Sequence, residues 1–289
     1  MNLRQALQKS REVLAKANIE DASLEGEILL RHVLQIDRAQ LYSDLNREMS
    51  APQADRLWQL VQRRRQGEPT AYITGHCEFY GLDLCVDRRV LIPRPETELM
   101  VEKALALARS RHFKSAADIG TGCGDIAISL ALNLPRLEVC AIDISAEALE
   151  VARLNCQKHG LTDRIRLLHG DMLAPLPGPV DLITANLPYV TGPELSRSGL
   201  AAFEPRLALD GGGDGLDKIR KLCLQAGDKL RPHGVMLLEI GQGQGQAVTD
   251  LLRRYFPSAA VEITPDLQGI ERVISLCLTA NRTTAKLII

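Results

Sequence analysis

In Asn186-Leu187-Pro188-Tyr189, residue types and spacing could do chemistry. An asparagine side chain carries one carbonyl acceptor and one NH2 donor. Pro188 fixes its own φ and pushes Leu187 into an extended conformation, which aims the Leu187 carbonyl. Tyr189 adds a flat face for a planar group. Together these would hold something flat with two N–H donors, such as a primary amide or an exocyclic amine. By itself Asn-X-Pro is an ordinary turn, so the chain around it decides.

Positioning falls to an alternating series of strands and helices. The apolar run 181–185 reads as a buried parallel strand ending at Asn186. In open α/β sheets, ligands bind outside the carboxyl ends of strands. Three earlier strand ends carry groups of their own. Residues 116–119 run into Gly120-Thr121-Gly122-Cys123-Gly124, and a helical pattern follows over 126–132. This G-x-G-x-G spacing is tighter than the dinucleotide G-x-G-x-x-G, and its glycines let backbone approach a ligand closely. The strand 139–142 ends in Asp143, whose carboxylate can accept both hydroxyls of a ribose. The strand 165–168 ends at His169-Gly170-Asp171-Met172. Asp171 could accept from an adenine amino group, and Met172 could pack on the ring. Each feature taken singly has an ordinary counterpart: an acid as a helix N-cap, a methionine in a core, a satisfied surface histidine.

Residues 1–66 read as helices only. Asp21 or Ser23 is a candidate cap for one and Ser50 for another. Arg63-Arg64-Arg65 reads as a solvated helix end before Gly67, with a phosphate-bearing macromolecular partner as the runner-up. From Pro69 a hairpin signal begins, with Tyr72-Ile73 and Phe79-Tyr80 flanking Gly75 and alternation through Leu82, Leu84 and Val86. Pro93 and Pro95 forbid helix, and Thr97 is a candidate cap for a helix over 99–108. Arg94, Glu96 and Glu98 form either a surface ion-pair cluster or a loop facing the site. Beyond the tetrapeptide, Asp210-Gly-Gly-Gly-Asp-Gly215 opens a helix over 216–230 and Pro232-His233-Gly234 reads as a turn. Residues 235–240 read as a strand, 246–256 as a helix, and 259–263 with 272–278 as a closing strand pair. Residues 280–289 take no assignment.

Composition bounds the function classes. A chain of 289 residues suits one large domain and a small one. With 45% apolar and 25% charged residues it reads as soluble and globular. One Trp, four Phe and five Tyr are too few for a stacking surface along single-stranded nucleic acid. A formal net charge of −1 argues against a chain-wide phosphate-binding footprint. Seven cysteines without C-x-x-C spacing and six histidines without metal-ligand spacing imply buried free thiols, a reducing compartment and no metal. There is no signal-peptide h-region and no apolar run of membrane-spanning length, so a cytoplasmic protein is expected.

Glycine loop, acid, acid and tetrapeptide at successive strand ends resemble the class I S-adenosylmethionine-dependent methyltransferase fold. That fold is α/β and Rossmann-like, with a seven-stranded, mostly parallel sheet. The wider resemblance is to HemK-type protein-(glutamine-N5) methyltransferases, which act on peptide chain release factors. Residues 21–30 carry it in the helical region, then Glu68-Pro69, Tyr72-Ile-Thr-Gly75, Glu78-Phe-Tyr-Gly-Leu82 and Leu91-Ile-Pro-Arg-Pro-Glu-Thr-Glu98. Residues 118–124, the tetrapeptide and Glu204-Pro-Arg-Leu-Ala-Leu209 complete it. It implies a small all-helical substrate-recognition domain (1–68), a β-hairpin linker (69–93) and a methyltransferase domain (94–289). The implied cofactor is S-adenosyl-L-methionine, and the implied acceptor is the glutamine of the release factor's Gly-Gly-Gln motif. Implied cofactor contacts are Asp118, Gly120, Thr121, Gly122, Cys123, Gly124, Asp143, Asp171, Met172 and Asn186. Implied catalytic contacts are Asn186, Leu187, Pro188 and Tyr189, with no metal, membrane or direct nucleic-acid partner. The family usually shows Asn-Pro-Pro-Tyr; Leu187 departs from it but still supplies a backbone carbonyl.

Similar loops occur in DNA amino-methyltransferases and in a sister enzyme acting on a ribosomal-protein glutamine. A DNA enzyme would need a basic cleft and a target-recognition insertion, against which near-neutral charge and the lack of an insertion count. The ribosomal-protein alternative stays open. Intact Asn186 and Tyr189 beside the loop count against a non-catalytic nucleoside-binding module. The glycine spacing counts against an NAD-dependent oxidoreductase.

Overall fold

A computed structural model describes residues 1–198 and 202–279; the unassigned stretch 280–289 lies outside them. The chain divides into two compact units, 1–76 and 77–289. The first holds five helices, α1 (Leu3–Lys16), α2 (Ala22–Leu34), α3 (Arg38–Ser43), α4 (Ala51–Arg65) and α5 (Thr70–Thr74). Asn2, Asp37 and Ser50 start three of them in capping boxes: each side chain accepts the N–H three residues on, and Gln5, Gln40 or Gln53 reaches back. Asp21 precedes α2 without a side-chain cap bond. Leu3, Leu14, Leu29, Leu30, Leu57 and Leu60, spaced on helical faces, are wholly buried in one core.

Two expectations change in this unit. The arginine run is more than a solvated end, because Arg63 grips Glu68 through two bonds (2.7 and 2.9 Å) and Arg64 pairs with Glu25. Residues 72–73 are helical rather than hairpin. Pro69 caps α5, Gly75 ends it in the left-handed region at φ +79, and Tyr72 and Ile73 are buried. The hairpin is shorter, β1 (His76–Phe79) and β2 (Leu82–Cys85). It turns at Tyr80-Gly81, both at positive φ, the requirement of a tight two-residue turn.

In the second unit α6 (Glu98–Arg111) precedes β3 (Ser115–Ile119), α7 (Asp125–Asn133), β4 (Glu138–Asp143), α8 (Ala146–Lys158) and β5 (Ile165–His169). Then come β6 (Val180–Ala185), α9 (Gly192–Ser198), α10 (Asp217–Lys229), β7 (Leu230–Glu239), α11 (Gly245–Tyr255), β8 (Ala260–Pro265) and β9 (Glu271–Cys277). The sheet order is β5-β4-β3-β6-β7-β9-β8, five parallel strands followed by an antiparallel pair. The central parallel strands β3, β4 and β6 are largely buried, as crossover helices on both faces require, while edge strand β5 is half-open. From β3 the order runs one way to β4 and β5 and the other way to β6 and β7, which makes a topological switch point. Ile119 pairs with Ile142 on one side and Ala185 on the other. That register sets Gly120, Asp143 and Asn186 side by side at the carboxyl edge. Pro232-His233-Gly234, expected as a turn, lies inside β7 as an irregularity. Pairing jumps from Val180–Leu230 to Leu182–Val235, since Pro232 has no N–H for the ladder.

Candidate active site

A cavity opens over the carboxyl ends of β3, β4, β5 and β6. Gly120, Thr121, Gly122, Cys123, Asp143, Asp171, Met172, Asn186, Leu187 and Pro188 all line it. Gly120 and Gly122 stand at φ +70 and +55, a backbone that admits glycine readily. The N–H groups of Gly120 and Thr121 donate to the Ile142 carbonyl at 2.8 and 3.0 Å. Asp143 accepts from the Gly122 N–H (2.9 Å) and the Ser145 N–H (2.8 Å), tying the loop to the start of α8. Burial raises its pKa. A carboxylate offers about four lone-pair sites, so acceptor capacity remains for a ribose. Met172, at φ +52, Ile144 and Ala148 supply an apolar wall. Asp171 lines the cavity while paired with Lys221. These features fit an adenosyl cofactor: spare acceptors, an apolar slot and closely approachable backbone.

Three residues implied as contacts stand behind the wall. Asp118 is fully buried and accepts from the hydroxyls of Thr121 (2.7 Å) and Thr184 (2.9 Å). Burial pushes its acid up to about 6, against those two bonds. It supports the glycine loop from beneath. Gly124 packs against Ile128 and Ala152, where a Cβ would sit 3.2 Å from Ile128 Cδ1. The third, Tyr189, packs its backbone on the glycine loop after β6. A Cβ on Gly211 would stand 2.7 Å from Tyr189 Cα, and one on Gly215 2.4 Å from its carbonyl oxygen. Val190 bonds both ways to that loop, donating to Leu209 (3.0 Å) and accepting from Gly211 (2.9 Å). Burial pushes the Tyr189 hydroxyl up to about 12.

Leu187, the family departure, is 4% exposed and belongs to the main core. Its Cδ2 lies 3.4 Å from where a Gly120 Cβ would be. Burying such a side chain is worth about 1.5–3 kcal/mol, so packing restrains this backbone where the family uses a second proline ring. Asn186 Nδ2 donates to Thr97 Oγ1 at 3.1 Å, and Thr97 Oγ1 donates to Glu239 Oε2 at 2.6 Å. Thr97 therefore does not cap α6; its side chain makes no cap bond.

Several wall residues had only partial or no sequence signal. The stretch 88–94 after the hairpin forms one side, apart from the buried Ile92. Arg94 donates to Glu204 (2.6 Å), whose other oxygen accepts the Ile92 N–H (3.3 Å). The Pro-Arg-Pro-Glu and Glu-Pro-Arg-Leu runs thus meet at the cavity. Glu98 accepts instead from the Tyr80 N–H (2.8 Å) and Glu96 is exposed, so the three charges do not form one cluster. Asp125 also faces the cavity, its acid held up to about 7 by burial. Asn155, wholly buried, accepts from the Cys85 N–H (2.7 Å) and donates to the Cys85 and Cys123 carbonyls (2.9 Å each). It clamps the cofactor loop to the hairpin.

Residues 5–75 match the model of the PrmC N-terminal domain, and 96–203 that of the methyltransferase small domain. The chain is 46% identical over 286 residues to the release factor glutamine methyltransferase of Moorella thermoacetica, covering 98% of this chain and 99% of that one. It is 39% identical over 278 residues to the enzyme of that name from Koribacter versatilis, covering 95% and 98%. A methyltransferase from Pyrococcus furiosus shares the fold at TM-score 0.51 and 18% identity, over 70% of this chain and 91% of that one. Among the described residues, no helix is long and apolar enough to cross a membrane.

Proposed function

The chain belongs to the release factor glutamine methyltransferases, and from that membership we propose that it methylates the side-chain amide nitrogen of the Gly-Gly-Gln glutamine in a peptide chain release factor. Adjacency carries the proposal. Asn186 and Leu187 border the same cavity as the glycine loop, and the Asn186 Oδ1 and Leu187 carbonyl have no partner among the described residues. The helical unit 1–76 serves recognition of the factor, in the cytoplasm where such factors act.

An amide nitrogen is a poor nucleophile, because its lone pair is delocalised into the carbonyl. Asn186 Oδ1 and the Leu187 carbonyl each accept one amide N–H, which turns the remaining face of the nitrogen across the cavity. Pro188 packs on the amide plane, with Tyr189 holding the turn from behind. Asp143 would accept the ribose hydroxyls of the cofactor, and Met172, Ile144 and Ala148 would enclose its base. S-adenosylmethionine, when bound, supplies an electrophilic methyl group on its sulfonium. Orientation of this kind can supply on the order of 7–11 kcal/mol at best. The methylated amide sheds its proton to solvent, so no side chain serves as general base.

Labelled methyl transfer tests this with three acceptors: a release factor, the same factor with that glutamine replaced, and duplex DNA. Label on the first alone is expected; label on the second or third overturns the assignment. Asn186→Ala should keep cofactor affinity within a few-fold and lower turnover by about 100-fold or more, the scale of a lost positioning contact. Retained turnover would remove Asn186 from the reaction.

A further inference from the structure

An asparagine amide has nearly the same shape either way round, yet only one way helps here. With Oδ1 toward the substrate it accepts an N–H; with Nδ2 there, two donors would face each other. Nothing in Asn186-Leu-Pro-Tyr189 chooses between them. We propose that Thr97 and Glu239 make the choice, acting as positioning residues that hold the NH2 inward and present the Asn186 oxygen to the substrate amide. The proposal rests on the reading that Asn186 accepts from the glutamine.

Counting protons gives the direction. When ionised, Glu239 has none to donate. Thr97 has one and gives it to Glu239 Oε2 at 2.6 Å. The Thr97 oxygen is then left as an acceptor, and the group 3.1 Å away on Asn186 must be the donor, Nδ2. The Asn186 side chain also lowers the pKa of Glu239. Thr97 is 0% and Glu239 3% exposed, so water is not at hand to supply a substitute proton. Turning the amide over would set Oδ1 against acceptors with nothing between them, a buried mismatch. Asn186 is half-buried and lines the cavity, and its Oδ1 is the amide atom left without a partner among the described residues.

Three variants of the full-length protein test this: Thr97→Val, Thr97→Ser and Glu239→Gln. The readouts are kcat on a release factor, cofactor Kd, and the 15N side-chain resonances of Asn186, assigned by their loss in Asn186→Ala. The Asn186 NH2 signals should show slow solvent exchange in the parent protein. In Thr97→Val that protection should vanish and kcat fall by roughly 10- to 100-fold with Kd within about twofold. Thr97→Ser, which keeps the hydroxyl, should restore both. Glu239→Gln, able to donate as well as accept, should lower kcat over the same range with Kd again retained. The inference is overturned if Thr97→Val keeps full kcat, or if its Asn186 NH2 stays protected. Should Thr97→Val lose cofactor binding through misfolding, Thr97→Ser and Glu239→Gln still decide, since a full-speed Glu239→Gln also overturns it. An inactive Asn186→Ala beside a fully active Thr97→Val rejects this inference alone; an active Asn186→Ala rejects the parent reading.

Discussion

At the scale of the residue, Glu239 carries a charge that its surroundings resist. Burial pushes its acid up to about 7, while the Thr97 hydroxyl, Arg272 and the Asn186 side chain pull it down and Glu96 adds to the rise. Asp125 and Tyr189 also feel its charge. The sign is plain for a raised carboxyl: the ionised acceptor exists above the folded pKa and disappears below it. A protonated Glu239 could donate to Thr97, which would free the Thr97 proton and release Asn186. Turnover at saturating substrates should therefore fall as pH drops through about 7, and Glu239→Gln should flatten that limb. A limb that persists unchanged in Glu239→Gln would belong to another group, with Asp125 the first to examine because burial holds it near the same value.

At the scale of the element, the loops are held by neighbours rather than by their own sequence. The glycine loop rests on Asp118, is tied forward by Asp143 and is clamped sideways by Asn155. Removing the Asn155 amide would leave the buried Cys123 carbonyl and the partly buried Cys85 N–H and carbonyl without these partners. An unmet buried group costs about 1–3 kcal/mol. Asn155→Ala should thus lower the thermal midpoint and weaken cofactor binding by roughly tenfold. Calorimetric titration with S-adenosylmethionine checks it, and unchanged affinity would mean the clamp serves the hairpin alone. The tetrapeptide is held likewise, by a glycine loop with no room for a Cβ at 211 or 215.

At the scale of the molecule, each unit has its own core. Leu3 to Ile73 form one cluster, and the described residues that line the site cavity all come from 88–221. Residues 77–289 alone should bind the cofactor as the whole chain does. They should also lose at least about tenfold in kcat/KM toward an intact release factor, because a second binding surface is gone, while a short Gly-Gly-Gln peptide is methylated as before. Parallel assays of factor and peptide measure this. An undiminished kcat/KM toward the factor would take the helical unit out of recognition.

What the sequence by itself determined is what local chemistry encodes. Alternating apolar runs, capping residues such as Ser50 and glycines at positive φ set strands, helices and turns over a few residues. They placed Gly120, Asp143, Asp171 and Asn186 at strand ends, and the switch-point rule brought them to one edge. Only the tertiary structure decided the side-chain partnerships across long separations: Thr97 with Glu239 over 142 residues, Arg94 with Glu204 over 110, Asn155 with Cys85 over 70. Such pairs leave no periodic signature, and each member has a credible local role that hides the distant one. Thr97 looks like a helix cap because hydroxyls before helices are caps. It becomes a relay because folding buries it beside a carboxylate from β7, where its proton goes to Glu239 and its oxygen accepts from Asn186.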